Sequence, residues 1–426
     1  LSANIGFSQT YTSYFIGNST DIASNPSGGV CLMGGATEDD NAMKWFLERA
    51  DGGDILVLRA TGSDGYNSYL HSELGVEVNS VETIVCHSEQ ASSEPYLIQK
   101  IEQAEAIWFA GGNQWTYISY WRNSAVSEAI NEAISQRNIV IGGTSAGMAI
   151  QSQYYFSAQN GTVTSSNALS NPYNEKVAID STSFIESNFL HNTITDTHFD
   201  NPDRKGRILV FLARIFQDDG VLGRAIACDE YTAVCIGEDG IARVFGGYPN
   251  YDDNAYFIQS NCELATQGPE ECSPGNPLTW NLNEEAVKVY VIKGDASGDK
   301  SFDVGTWQEG SGGVWENWSV SNGDVLEQGS EALNCSPTSS NEIAGLSNLE
   351  MYPNPASNKV TISLTEDIAW KKGIYLFNNL GRQINLPMEA TKSLIEVDIS
   401  TLRKGVFYFK IYLANGEVRQ RKIIKM

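Results

Sequence analysis

Five near-continuous apolar runs punctuate the first third of the chain, at residues 29–33, 54–58, 82–86, 106–110 and 139–141. Runs of that length without polar alternation are written for strands covered on both faces. Between them, residues 39–49, 94–103 and 124–136 carry apolar side chains at helical spacing. Strand and helix in alternation predict an α/β fold with a doubly wound, mostly parallel sheet. Past residue 220 the pattern changes to closely spaced β-rich runs at 222–227, 231–236, 241–245 and 286–292, which predict an antiparallel extension of that sheet. From residue 360 on, short strands at 360–364, 373–377, 394–399, 405–413 and 417–424 alternate with turn signals such as Asn415-Gly416, the pattern of an all-β sandwich.

Charge divides the chain in the same place. Residues 348–426 hold 12 Lys+Arg and 7 Asp+Glu, a net of +5, against 16 and 45, a net of −29, on residues 1–347. Residues 331–347 are rich in Ser, Asn and Gly and too poor in apolar side chains to pack, so they read as a linker. The expected plan is an N-terminal lead-in over 1–28, a large body over 29–330, that linker, and a small β domain over 348–426. A total of 426 residues gives such a plan enough chain for two cores, and 41% apolar with 19% charged residues is the composition of a globular protein. The overall charge of −24 repels polyanions and argues against nucleic acid as a partner. The longest apolar run, 208–216, is far short of a bilayer span and contains Arg214, so no transmembrane segment is expected.

Seven cysteines show no C-x-x-C pair, which argues against a structural zinc site. Cys262 and Cys272 flank a polar loop, 263–271, that a disulfide between them would close in an oxidising compartment; free, half-buried thiols are the alternative. Residues 295–303 space their acids like an oxygen-rich calcium loop but put Thr306 where the bidentate glutamate belongs, so a solvated acidic turn is expected, with no metal and no cofactor.

Chemistry concentrates at residues 139–150. A β-branched run stops at Gly142-Gly143, a lone hydroxyl follows at Ser145, and small residues lead into a helical pattern. That is how a nucleophile elbow is written, because the turn is tight enough to demand small neighbours and it pushes one side chain into the open. A serine needs a base, and the chain has four histidines, His71, His87, His191 and His198. His198 closes a strand-like alternation, where a sheet of this kind presents its ligands at its carboxyl edge, and is the best placed. A carboxylate to orient it is available at Asp229-Glu230; neighbours on an extended backbone face opposite ways, so one of the two can serve, and spacing does not choose. Gly111-Gly112, after the run at 106–110, allows backbone N–H groups to approach a substrate oxygen, and with the N–H of Ala146 would form an oxyanion hole.

Five segments in order, Met33-Gly34-Gly35-Ala36, Phe109-Ala110-Gly111-Gly112-Asn113-Gln114, Gly143-Thr144-Ser145-Ala146-Gly147, Asp196-Thr197-His198-Phe199 and Asp229-Glu230-Tyr231-Thr232, resemble the serine peptidase family that includes cyanophycinase and dipeptidase E. The resemblance implies a class I glutamine-amidotransferase-like sheet and a triad of Ser145 as nucleophile, His198 as base and Glu230 as orienting acid, with Gly112 and Ala146 donating to the oxyanion. It further implies that Gln114 and Asp196 shape the substrate pocket, and that Arg204 and Arg207 bind a substrate carboxylate or pair with nearby acids. Thr197 stands where cyanophycinases carry glutamine, and Asp200-Asn201-Pro202-Asp203 separates Phe199 from Arg204, so the substrate-reading surface differs from theirs. The implied activity is hydrolysis of peptide or isopeptide bonds through an acyl-enzyme, at α- or β-aspartyl linkages; the alternative is a catalytically silent surface protein that binds peptide or glycan in the same pocket.

The end of the chain, with Met351-Tyr352-Pro353-Asn354-Pro355-Ala356, then Gly405-Val406-Phe407-Tyr408, then the basic run from Arg421 to Met426, resembles the C-terminal sorting domain of the Bacteroidetes type IX secretion system. That resemblance implies export across the outer membrane, with the type IX machinery as partner through residues 348–426.

Overall fold

The computed structural model describes residues 9–22, 24–181, 184–187 and 189–335, and within 349–425 all but 353–355, 365–369, 379–382, 385, 387, 391–393, 403 and 414–417. The chain divides into two compact units, Leu1–Cys335 and Ser336–Met426.

In the first unit, strands β1 (Tyr11–Gly17), β2 (Gly29–Met33), β3 (Asp54–Arg59), β4 (Ser80–Cys86), β5 (Ala106–Phe109) and β6 (Val140–Thr144) lie in one sheet, in the order β1-β4-β3-β5-β6-β2. The pairings from β4 to β2 are parallel, while β1 pairs antiparallel with β4 along the outer edge. Residues expected as a lead-in therefore contribute an edge strand. The apolar runs have their double-sided burial for a simple reason. Along each strand alternate side chains enter two separate cores, Val30 and Leu32 on one face and Cys31 and Met33 on the other. One core is roofed by helix α1 (Asp40–Glu48), which buries Met43, Phe46 and Leu47; the other is roofed by α2 (Pro95–Gln103), α3 (Gln114–Trp121) and α4 (Ala125–Glu132). Asp39 caps α1 by accepting from the N–H groups of Asn41 and Ala42 at 2.9 Å, and Pro95 opens α2 where its missing N–H costs nothing. Beyond β6 comes the short helix α5 (Ala146–Ala149).

The second half of this unit departs from the expected extension. Only part of it continues the sheet, antiparallel beyond β2, through residues 233–236, 241–248, 301–303 and 310–311. The rest builds a separate six-stranded sheet that includes β7 (Thr193–Asp196), β8 (Arg224–Cys228) and strands at 254–260, 287–293, 314–321 and 324–329. β7 and β8 pair in parallel and are connected by helix α6 (Lys205–Asp219). One face of this sheet, with Ile226, Cys228 and Phe257, completes the core of the first sheet; the other, with Ala227, Ile258 and Trp318, packs under α6. The closely spaced runs of the sequence carry no sign of which of two sheets each strand joins.

Cys262 is bonded to Cys335, with Cα atoms 5.7 Å apart, and not to Cys272. Cys272 is turned into the apolar core under α6, 7% exposed. Residues 331–335, read from sequence as the start of a linker, instead run beside the strand ends: the Ser330 N–H just before them donates to the Trp315 carbonyl, Lys288 Nζ to the Glu331 carbonyl at 3.2 Å, and the Asn334 N–H to Glu263 at 2.9 Å. That path delivers Cys335 to Cys262.

The second unit holds two four-stranded antiparallel sheets, 349–352, 359–364, 394–398 and 388–390 in one, and 383–384, 370–378, 405–413 and 418–425 in the other. Val360, Ile362, Ile395 and Val397 of the first meet Leu376, Phe409 and Ile423 of the second in one core, so the strands form a sandwich. Of its sequence landmarks, Pro353, Asn354, Pro355 and Met426 lie outside the described residues.

Candidate active site

β5, β6 and β2 are neighbours and parallel, so their carboxyl ends present Gly111, Ser145 and Gly34 along one stretch of the sheet edge. Ser145 follows β6 and precedes α5, with φ +53° and ψ −116°. A residue with a Cβ pays for such a backbone, and it is held here by close packing. A Cβ on Gly143 would sit 2.7 Å from the Phe109 carbonyl oxygen, and one on Gly147 2.0 Å from the same atom, so only glycine fits on either side. The Ser145 N–H donates to the Met33 carbonyl at 3.0 Å, which ties the bend to the neighbouring strand.

Base and acid arrive from the other sheet. His198 follows β7 and Glu230 follows β8; because those strands are parallel neighbours, their carboxyl ends lie side by side. Met33-Gly34-Gly35 then binds both turns to the end of β2. The His198 N–H donates to the Gly34 carbonyl at 2.9 Å, the Tyr231 N–H to the Gly35 carbonyl at 3.1 Å, and the Gly34 N–H to the Thr232 carbonyl at 2.9 Å. Gly34 passes so close to Asp229 that a Cβ would lie 1.9 Å from its carbonyl oxygen, and a Cβ on Gly35 would lie 2.4 Å from the His198 ring. At this crossing the chain leaves the second sheet and enters the first at Ala233.

The result is a chain of contacts. Ser145 Oγ lies 2.8 Å from His198 Nε2, and His198 Nδ1 lies 2.6 Å from Glu230 Oε1. With Nδ1–H donating to the carboxylate, Nε2 is left as the acceptor for the serine hydroxyl. The imidazole and carboxylate side chains are 24% and 22% exposed, reachable from solvent but largely shielded. Asp229 points the opposite way and is buried. Its Oδ2 accepts from the Asn254 backbone N–H at 2.9 Å and from Tyr256 Oη at 3.2 Å, while Oδ1 is buried with no partner among the described residues. Burial pushes its pKa up to about 7. Asp200, not singled out from sequence, accepts the Glu230 N–H at 3.2 Å and steadies the turn that carries the acid.

The remaining candidates fall in different places. Gly111 adjoins the bend, since a Cβ there would lie 3.8 Å from that of Ser145, so the Gly111-Gly112 turn and the Ala146 N–H flank the serine. The Gln114 amide donates to the Phe156 carbonyl. Asp196, expected to shape the substrate pocket, and Arg207, expected to meet either a substrate carboxylate or a nearby acid, are 3% exposed each and pair with one another; Arg207 Nε donates to Asp196 Oδ2 at 2.8 Å, Nη2 donates to Oδ1, and Nη1 reaches Thr162 and Val163. Arg204 Nη1 donates to the Thr197 carbonyl at 2.7 Å and lies 3.8 Å from Asp196, and burial lowers its pKa. Of the other histidines, His87 bonds Thr12 at 2.8 Å, while His71 lies against Gly17 at the far end of β1. Among the described residues no group of three or more His, Cys, Asp or Glu is gathered to hold a metal, and no helix is long and apolar enough to cross a membrane.

Comparison with known proteins adds two matches. The model of peptidase family S51 fits residues 64–242, a range that contains Ser145, His198 and Glu230, and the model of the secretion system C-terminal sorting domain fits residues 350–426. No curated protein matches the sequence. Among solved structures, a peptidase from an acI-B1 Actinobacterium is similar at 16% identity, covering 52% of this chain and 89% of its own, with a TM-score of 0.40. A putative peptidase E protein from Listeria monocytogenes EGD-e is similar at 14% identity over 52% and 99%, with a TM-score of 0.33. The chain thus joins a region that matches peptidase family S51, the family of dipeptidase E and cyanophycinase, to one that matches the type IX sorting domain, the mark of a secreted or cell-surface protein.

Proposed function

We propose that this protein is a secreted serine peptidase that hydrolyses peptide or isopeptide bonds through an acyl-enzyme on Ser145. The observation that carries the reading is the 2.8 Å contact of Ser145 Oγ with His198 Nε2, continued at 2.6 Å to Glu230. In this reading Ser145 Oγ attacks the carbonyl carbon while His198 Nε2 takes its proton, and the same proton then passes to the leaving amine. Glu230 holds the imidazole in the required tautomer and stabilises its charged form. The N–H groups of Gly112 and Ala146 receive the negative charge on the carbonyl oxygen, a service worth about 10²–10³ in rate where one such donor has been removed elsewhere. Water, deprotonated by His198, releases the acid product.

The substrates to try first are α- and β-aspartyl dipeptides. The catalytic body corresponds to the unit that ends at Cys335 and the sorting domain to residues 348–426, the part read by the type IX machinery. A fluorophosphonate, which phosphonylates only an activated serine, should label the wild-type chain at Ser145, and Ser145→Ala should lose both labelling and turnover while melting at the wild-type temperature. Labelling that persists in Ser145→Ala, or a wild-type protein inert to the probe, would remove Ser145 from its role.

A further inference from the structure

Five backbone groups at Thr197, His198 and Phe199 have identifiable partners. The Thr197 N–H donates to Asp196 Oδ1 at 2.9 Å, the His198 N–H to Gly34, the Phe199 N–H to the Cys228 carbonyl at 3.1 Å, and the Phe199 carbonyl accepts the Arg204 N–H at 2.9 Å. The Thr197 carbonyl is taken by the Arg204 side chain at 2.7 Å. This fastening surrounds a histidine with φ +47°, in the left-handed region that a residue with a Cβ enters reluctantly. The charged partners are themselves anchored: Arg204 Nη1 lies 3.8 Å from Asp196, Asp196 is held from both oxygens by Arg207, and the Arg207 guanidinium lies over Phe156 with 5.2 Å to the ring centroid.

We propose that Arg204, backed by Asp196 and Arg207, is a positioning residue for His198: by holding the Thr197 carbonyl it fixes the peptide plane that aims the imidazole at Ser145, and it does not bind the substrate. This rests on the triad reading above. Charge supports it, since Arg204 and Arg207 share their surroundings with Asp196, Asp200 and Glu230. Two cations facing three carboxylates leave no positive field to draw a substrate carboxylate. Geometry supports it as well, because among the described residues the hydrogen bond of the Arg204 side chain runs to the backbone beside the base.

The test uses the full chain and compares Arg204→Ala with Arg204→Gln, whose amide still reaches toward the Thr197 carbonyl but carries no charge. Both are assayed by the rate of fluorophosphonate labelling across pH, which needs no substrate carboxylate, and by kcat and KM on an aspartyl dipeptide. The expected result is labelling slowed about 10–100-fold in Arg204→Ala with a displaced pH profile and KM within about twofold, and most of that loss recovered in Arg204→Gln. A substrate-binding arginine would give the reverse: labelling at the wild-type rate in both variants and a KM raised about tenfold or more in both, which would overturn the proposal. Should Arg204→Ala fail to fold, Arg204→Gln alone decides, a KM within about twofold of the wild type supporting the proposal and one raised about tenfold overturning it. A wild-type chain that the probe does not label would instead bring down the triad reading beneath it.

Discussion

The two sides of the candidate site are built differently. On the serine side, the bend, its glycines and the strand before it are contiguous, and the strain at Ser145 is imposed by atoms a few residues away or on the adjacent strand. On the base and acid side, His198 and Glu230 come from two strands of a second sheet, and they face Ser145 only because Gly34-Gly35 clasps both turns to the end of β2. One side is a local motif; the other is an agreement between sheets. The difference teaches that the serine should keep its geometry under changes that scatter its partners.

The largest expected effect lies on the agreement side. Glu230→Gln should lower kcat about 10⁴-fold with little change in melting temperature, the scale seen when a triad acid is made neutral. Its neighbour provides the control, since Asp229→Asn should leave kcat within about threefold; equal losses in the two variants would mean that the acid has been assigned to the wrong residue. The two kinds of glycine then separate activity from stability. Gly147→Ala drives a Cβ to within 2.0 Å of a backbone oxygen and should destabilise by about 3 kcal/mol in urea unfolding, whereas Gly35→Ala meets the imidazole at 2.4 Å and should cost about 10²-fold in labelling rate, more than its stability loss explains.

The disulfide sharpens the same contrast, because it closes a span of 73 residues within the second-sheet half. Cys262→Ser with Cys335→Ser should lower stability by about 2–4 kcal/mol, read as a lower urea midpoint. A smaller effect comes from the buried acids. The Asp229 carboxyl has a folded pKa of about 7 against an ordinary 3.8, so below about pH 4 it is protonated folded or unfolded and costs nothing. As pH rises from 4 to 7 the unfolded chain gives up its proton first, and stability falls. Glu105, pushed by burial to about 7, acts in the same direction. Asp229→Asn should therefore flatten this decline by on the order of 2 kcal/mol, measured as urea midpoints at pH 4 and 7. A slope equal to that of the wild type would mean that Asp229 ionises freely.

Much of the first sheet was legible in the chain. The run at 29–33 is β2, those at 54–58 and 106–110 end within one residue of β3 and β5, and the spacing at 39–49 and 94–103 gave α1 and α2. Each of these elements buries the face or faces its own periodicity marks, whichever strands lie beside it, so the pattern reports its burial. The second sheet was not legible, because alternation tells a strand from a helix but does not name its partner. For the same reason the loop between Cys262 and Cys272 suggested a bridge that the fold does not make, and the sequence left open whether Arg207 meets a substrate carboxylate or a nearby acid, where the fold pairs it with Asp196.

The amino-acid sequence by itself determined the elbow, the pool of histidines and acids, and the strand-rich sorting domain, because each of these is specified by residues near one another along the chain. Which of two adjacent acids turns toward the base, a choice that spacing left open, and which cysteine finds Cys262 were decided only by tertiary structure. Those choices depend on where distant strands end, and that is set by the joint packing of two sheets around a shared core, a property no single stretch of chain contains.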